Sequence, residues 1–120
     1  MALLAMAIPI VPGKVQQWWD FTNQLNGPRH GDYEASRRRM GVHERVFLQS
    51  SPQGDLAVVT FEGDDPEGAL RRFVSSDDDF TRWFVDQVQQ IHGLDLRQVV
   101  QAQAPQLVVD SERLVQRKAA

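Results

Sequence analysis

Cysteine is absent from this 120-residue chain, and tyrosine occurs only once. The lack of cysteine excludes disulfides, thiolate metal sites and a cysteine nucleophile. Such a chain needs no oxidising compartment, so a cytoplasmic location is expected. Net charge is also small: the formal value of −3 argues against a protein that coats a polyanion, and no nucleic-acid partner is expected.

Long apolar runs are missing as well. The N-terminal run MALLAMAIPIV ends at Pro12-Gly13 after about a dozen residues, which is too short to span a bilayer. No basic segment precedes this run, as a secretory signal would require. It is therefore predicted to be a buried strand, and no membrane partner is expected.

The periodicity of the apolar residues alternates between strand-like and helix-like segments. Strands are predicted at 3–11, 44–50, 55–62 and 106–110. Helices, each interrupted once, are predicted at 14–40 and 66–92. The order βαββαβ predicts a ferredoxin-like α+β fold, with a four-stranded antiparallel sheet and both helices on one face. One domain is expected over 1–110, followed by a C-terminal tail at 111–120.

The central predicted hairpin carries apolar side chains on both of its faces. Leu56 and Val58 lie on one face, and Ala57, Val59 and Phe61 lie on the other. Two helices cover only one face of such a sheet, and a face in contact with solvent would alternate with polar residues. A second copy packed sheet against sheet would cover the remaining face. A homodimer is therefore predicted.

Three stretches, IPIVPGKVQQWW, RVFLQSSPQGDLAVVTFEGDDPE and RWFVDQVQQIHGLDL, look like small bacterial proteins of the dimeric α+β barrel superfamily. This superfamily includes antibiotic-biosynthesis monooxygenase-like proteins, and the two-faced sheet and interrupted helices also resemble it. The resemblance implies a pocket for a small molecule between the helices and the sheet, lined by an aromatic, a His and an Asn or Tyr. Haem-degrading relatives use Asn, Trp and His together. Here Trp18 and Trp19 precede Asn23, which departs from that order, and no cofactor is expected.

The candidate general bases are His43 and His92. Each lies at the end of a predicted element, and an unperturbed imidazole titrates near neutral pH. The alternative for each is an imidazole bonded to the backbone. A composite metal site formed by His30, His43 and His92 is a further alternative, but no pair has the spacing of a helical metal motif, and no metal is expected.

The helix that precedes Gly41 carries the candidate groups for binding negative charge. Tyr33 and Arg37 share a helix face, and this pair is predicted to stabilise an enolate or a carboxylate. Arg37, Arg38 and Arg39 occupy consecutive positions and so point in different directions. One of them turned inward would bind an anionic ligand. The alternative is a solvated helix end, where Glu34 pairs with Arg38.

Trp18, Trp19 and Asn23 are the candidate substrate-binding residues on the first helix. Because the two tryptophans are adjacent, only one can point squarely into the core. The other lies at an edge, where a pocket or a dimer contact would form. The alternative is that the tryptophans serve only to pack the core.

Two functions are compatible with these features. The first is binding of a hydrophobic, aromatic or polyketide-like compound, with cofactor-independent oxygenation or cyclisation as the reaction if the protein is an enzyme. The second is a non-catalytic homodimer whose helices serve packing or protein contacts. An open cavity lined by Tyr33 and a histidine would favour the first, and a cavity filled by Trp and Phe side chains would favour the second.

Overall fold

The computed structural model describes residues 2–116. In chain order the elements are strand β1 (Ala2–Pro9), helices α1 (Val15–Leu25) and α2 (His30–Met40), strands β2 (Val42–Ser51) and β3 (Gly54–Gly63), and helices α3 (Pro66–Val74), α4 (Asp79–His92) and α5 (Leu96–Val99). The α+β class is confirmed, as are the first three predicted strands and the interruption of both predicted helices.

The three strands form one antiparallel sheet in the order β1-β3-β2. Leu4 of β1 lies opposite Phe61 of β3, which in turn lies opposite Glu44 of β2. Val59 and Val46 form a pair two residues further along. Because side chains alternate along a strand, all five share one face of the sheet. The helices pack on this face, which we call the inner face. The carboxylate of Glu44 therefore lies in the interior.

The fourth strand predicted at 106–110 does not form within residues 2–116. Asp110 makes only an isolated bridge with Arg113. Val108 and Val109 are 69% and 80% exposed. β-branched residues favour a strand only where a neighbouring strand and a surface exist to pack against. The sheet described here therefore has three strands, and both of its edges lack a neighbouring strand among the described residues.

Aromatic side chains fill the layer between the helices and the sheet. The ring of Phe84 contacts the rings of Phe21, Phe73 and Phe80 at centroid distances of 5.2, 5.4 and 5.9 Å. The pairs with Phe21 and Phe73 have the edge-to-face arrangement that aromatic rings prefer. The centre of the core thus lies on α4, where α1 and α3 meet it.

The helix boundaries follow local capping chemistry. The side chains of Asp65 and Asp78 cap α3 and α4, and Asp78 accepts a hydrogen bond of 2.8 Å from the backbone amide of Thr81. This bond lowers the pKa of the Asp78 carboxyl. Gly41 and Gly93 end α2 and α4 in the left-handed conformation that glycine adopts without strain. In the part of the chain described, no helix has both the length and the apolar character to cross a membrane.

The opposite face of the sheet, which we call the outer face, has no layer packed on it by the described residues 2–116. Phe47 of β2 and Val58 of β3 are directly paired near its centre. Phe47 is 53% exposed and Leu3 is 62% exposed. Towards one end of the face, Arg45 and Glu62 form an ion pair at 3.4 Å. The outer face therefore presents apolar side chains beside a pair of opposite charges.

Candidate functional site

An interior cavity of about 60 Å³ lies between the inner face of the sheet and the helices. At roughly 10–15 Å³ for each water molecule, this volume holds only a few waters. Apolar and aromatic side chains make up most of the wall. The polar or charged side chains that line it are Thr22, Arg37, Glu44 and His92. Val46 also lines the cavity and is 37% exposed, so this part of the wall lies at the protein surface beside β2.

His92 reaches the cavity from the last position of α4. Its Nδ1 atom lies 2.8 Å from the backbone carbonyl oxygen of Pro9. A carbonyl oxygen can only accept, so Nδ1 carries the proton of the neutral ring and Nε2 carries the free lone pair. Burial lowers the pKa of His92, and the bond to Pro9 partly opposes this. His92 is thus a neutral base beside the cavity at pH 7.

Acidification is expected to destabilise the protein through His92. Its pKa in the folded state lies below the value of about 6.5 expected in the unfolded chain. Between these two pKa values the unfolded state binds more protons, so stability rises with pH. The urea concentration at half-unfolding should therefore fall as the pH is lowered from about 7 towards the folded-state pKa.

The variant His92→Gln isolates this contribution because its amide can still donate to Pro9. The other ionisable side chains that line the cavity, Arg37 and Glu44, are retained in it. The pH dependence of the urea midpoint should be shallower in the variant below about pH 6.5. Identical pH profiles for the variant and the wild type would show that burial does not perturb His92.

A buried polar network forms another part of the cavity wall. Arg37 Nε and the Tyr33 hydroxyl each donate a hydrogen bond of 2.6 Å to Glu44 Oε1. The side chains of Arg37 and Glu44 are only 7% and 4% exposed. Burial, followed by the negative charge of Glu44, raises the pKa of Tyr33 far above its ordinary value. The Tyr33 hydroxyl is therefore a protonated donor that is already engaged by Glu44.

The guanidinium of Arg37 is held on several sides. Its Nη1 atom donates to Ser36 Oγ at 3.0 Å. Its carbon lies 4.6 to 4.9 Å from the ring centroids of Tyr33, Phe73 and Phe84, within the range of a cation–π contact. The hydrogen bond and the ring contacts together hold the guanidinium in one position. Arg37 is therefore the inward-turned member of the arginine run.

The remaining two arginines of the run, Arg38 and Arg39, are exposed. Arg38 Nη2 lies 2.7 Å from Glu34 Oε1, which is the ion pair that the spacing predicts. One arginine of the run is therefore turned inward, where its partner is Glu44 of the same chain, and the anionic ligand stays a prediction. Arg37 belongs to the interior, and the following two residues form a solvated helix end.

Arg37 and Glu44 separate the interior cavity from an open surface cleft. Both line the cavity, and both also line the cleft. The other residues around the cleft are His30, Tyr33, Glu34, Arg38, Val42 and His43. The Arg37–Glu44 pair is therefore a partition with a buried apolar space on one side and a polar, solvent-filled space on the other.

Of the predicted catalytic residues, only His92 lines the cavity. Tyr33 lies on the cleft side of the partition, and its hydroxyl donates to Glu44. His43 is exposed and sits on the rim of the cleft. His30 contacts the backbone carbonyl of Leu25 through Nδ1 at 2.9 Å. Among residues 2–116, no three potential metal ligands come together, so the histidines do not form the composite metal site.

Of the predicted binding residues, Trp18 and Arg37 line the cavity. Trp18 is 4% exposed, whereas its neighbour Trp19 is 45% exposed and makes an edge contact with it at a centroid distance of 4.9 Å. Asn23 is exposed on the outside of α1. The structure therefore separates the two tryptophans as expected, and Trp19 and Asn23 take no part in lining the cavity.

Glu44 is the residue that sequence reasoning missed as a site residue. Its position alternates with Val46 and Leu48, so a strand starting near it places all three on the same face. That alternation was the available signal.

Comparison of the chain with models of known protein families, with curated proteins and with solved structures finds no match.

Proposed function

We propose that this protein binds a small hydrophobic compound in the interior cavity and that it does so as a homodimer of the dimeric α+β barrel type. The observation that carries this proposal is the neutral His92 beside an otherwise mainly apolar and aromatic cavity. Apolar pockets with a few oriented polar groups are the common form of small-molecule sites.

The chemistry that fits His92 is proton abstraction. A ligand C–H or O–H group that is acidified by a neighbouring carbonyl can transfer its proton to Nε2, and the carbonyl oxygen then takes up the negative charge. This step can begin a cyclisation, or an oxygenation in which molecular oxygen is the co-substrate. Arg37 also lines the cavity, but its charge is paired with Glu44, and Tyr33 donates to Glu44 and does not line the cavity.

The second candidate function is a homodimer without catalysis. The small volume of the cavity favours it, as does the pairing of Tyr33 and Arg37 with Glu44 within the chain. In this case the aromatic side chains around the cavity serve only to pack the core. The first candidate function predicts that a small ligand binds in the cavity, and the second predicts that none does.

The outer face supports the homodimer in both candidates. Its exposed apolar residues include Leu3 and Phe47, and nothing in residues 2–116 covers them. The segment 107–109 is also apolar and exposed, and it lies outside any strand. We propose that packing of two outer faces creates the surface on which this segment forms the predicted fourth strand.

Binding of benzamide tests the proposed site. This single-ring probe is larger than the space of about 60 Å³, so the side chains of the wall must move apart to admit it. Titration into isotope-labelled protein, followed by NMR, should give saturable shifts at the indole N–H of Trp18. The corresponding signal of the exposed Trp19 should move less. The reason is that Trp18 lines the cavity and Trp19 does not.

Two matched alanine variants of the sheet provide the control. Ala57→Val adds two methyl groups to the cavity wall and should weaken benzamide binding at least about tenfold. Ala2→Val adds the same groups at an exposed position of β1 that is not on the outer face, and it should leave binding unchanged. Equal binding by both variants, or no saturable shift in the wild type, would contradict a ligand site in this cavity.

A further inference from the structure

The charges at the interior cavity are balanced within the wall. Arg37 is the one permanently cationic side chain among the described residues that line it, and Glu44 is the one carboxylate. Their direct hydrogen bond of 2.6 Å neutralises each charge with the other. His92, the remaining ionisable group there, is neutral at pH 7. The cavity therefore offers a ligand no uncompensated charge.

A charged ligand would lose its hydration in such a cavity without gaining a partner. Transfer of an unpaired carboxylate from water into an apolar site is strongly unfavourable. Arg37 relieves little of this cost, because its charge is already balanced by the Glu44 carboxylate, whose Oε1 accepts from Arg37 Nε at 2.6 Å. An uncharged ligand of the same shape avoids the penalty.

We infer that Glu44 makes this cavity selective for uncharged ligands, and that removing its charge would convert the cavity into a site for carboxylates. The inference rests on the proposed function, since it concerns the ligand of the same cavity. It assigns Glu44 as the residue that determines ligand charge.

The substitution Glu44→Gln isolates the charge from the shape. Glutamine has nearly the same volume, and its carbonyl oxygen can still accept from Arg37 Nε and from the Tyr33 hydroxyl. The positive charge of Arg37 then has no counter-ion in the wall. A ligand carboxylate would supply one, and guanidinium–carboxylate pairs are among the stronger hydrogen-bonded contacts.

Benzamide and benzoate are matched probes for this inference, since they share one ring and differ in charge. Calorimetric titrations at pH 7.5 should show at least about tenfold tighter binding of benzamide by the wild type. In Glu44→Gln the order should reverse, so that the ratio of the two dissociation constants changes at least about 100-fold. A reversal of this kind requires the uncompensated cation, because an apolar cavity alone disfavours benzoate in every variant.

Two further variants control the measurement. Arg37→Met combined with Glu44→Gln removes both charges and should restore the preference for benzamide. Glu34→Gln changes the exposed partner of Arg38 and should leave the wild-type preference intact. If Glu44→Gln does not fold alone, refolding in benzoate but not in benzamide is the expected result.

The possible outcomes distinguish a failure of the proposed function from a failure of the charge selectivity alone. No binding of either probe to the wild type would overturn the proposed function and this inference with it. Benzamide binding by the wild type, without any gain for benzoate in Glu44→Gln, would overturn the charge selectivity alone. An unfolded Glu44→Gln that benzoate does not rescue would overturn it as well.

Discussion

Replacing Glu44 by alanine is expected to destabilise the protein by about 3–5 kcal/mol. The substitution leaves the Arg37 guanidinium buried without its carboxylate, and it removes the acceptor of the Tyr33 hydroxyl. Both charged side chains are more than nine-tenths buried, so water does not replace the lost partner. Urea unfolding followed by circular dichroism measures the free energy of unfolding.

A double-mutant cycle separates the interaction energy between Arg37 and Glu44 from the effect of each side chain alone. Arg37→Met alone leaves the Glu44 carboxylate unpaired and should also cost about 3–5 kcal/mol. The double variant Arg37→Met/Glu44→Leu should be more stable than the sum of the single effects predicts, because neither charge remains buried alone.

The exposed ion pair of Glu34 and Arg38 is the matched control. Its nitrogen–oxygen distance of 2.7 Å is close to the 2.6 Å of the buried Arg37–Glu44 pair, but its side chains are 59% and 74% exposed. Glu34→Ala should cost no more than about 0.5 kcal/mol. Equal costs for Glu34→Ala and Glu44→Ala would contradict the buried network on which the site depends.

Substitution of Phe47 by lysine is expected to raise the dissociation constant of the proposed homodimer at least about 100-fold. Phe47 is the large aromatic side chain near the centre of the outer face. Lysine would place an unpaired charge inside the proposed interface, which costs considerably more than loss of the ring alone. Sedimentation equilibrium over a range of concentrations measures the change.

Folding of the single chain should be little affected by the same substitution, because Phe47 is already 53% exposed within it. Gln89→Lys, at an exposed position of α4 in the helical layer, introduces the same charge away from the sheet and should not change the dissociation constant. A wild-type protein that stays monomeric, or a Phe47→Lys variant with unchanged affinity, would rule out this interface.

Local features were the most predictable part of the fold. The predicted helix ends at 40 and 92 precede Gly41 and Gly93, because glycine readily adopts the left-handed conformation that ends a helix. The division of the β3 residues between two faces also followed from its sequence, although both faces are apolar and the sequence did not identify the inner one. These features depend on a few neighbouring residues, so the sequence contains what determines them.

Features that depend on distant contacts were less predictable. Residues 106–110 have the composition of a strand, but a strand forms only with a neighbour, and the composition does not identify one. His43 and His92 both end an element, and only the packing of α4 against the end of β1 directs His92 to the cavity. Likewise, the bond between Arg37 and Glu44 joins a helix to a strand across a turn.

Native mass spectrometry of the untagged protein, purified without added ligand, tests the central proposal most directly. A homodimer that carries a reproducible additional mass, identified after release as an uncharged hydrophobic compound, is the predicted result. The Ala57→Val variant should lose this mass while remaining a dimer, because the substitution reduces the cavity and leaves the outer face unchanged. A monomer with the bare mass of the chain would contradict both the interface and the ligand site.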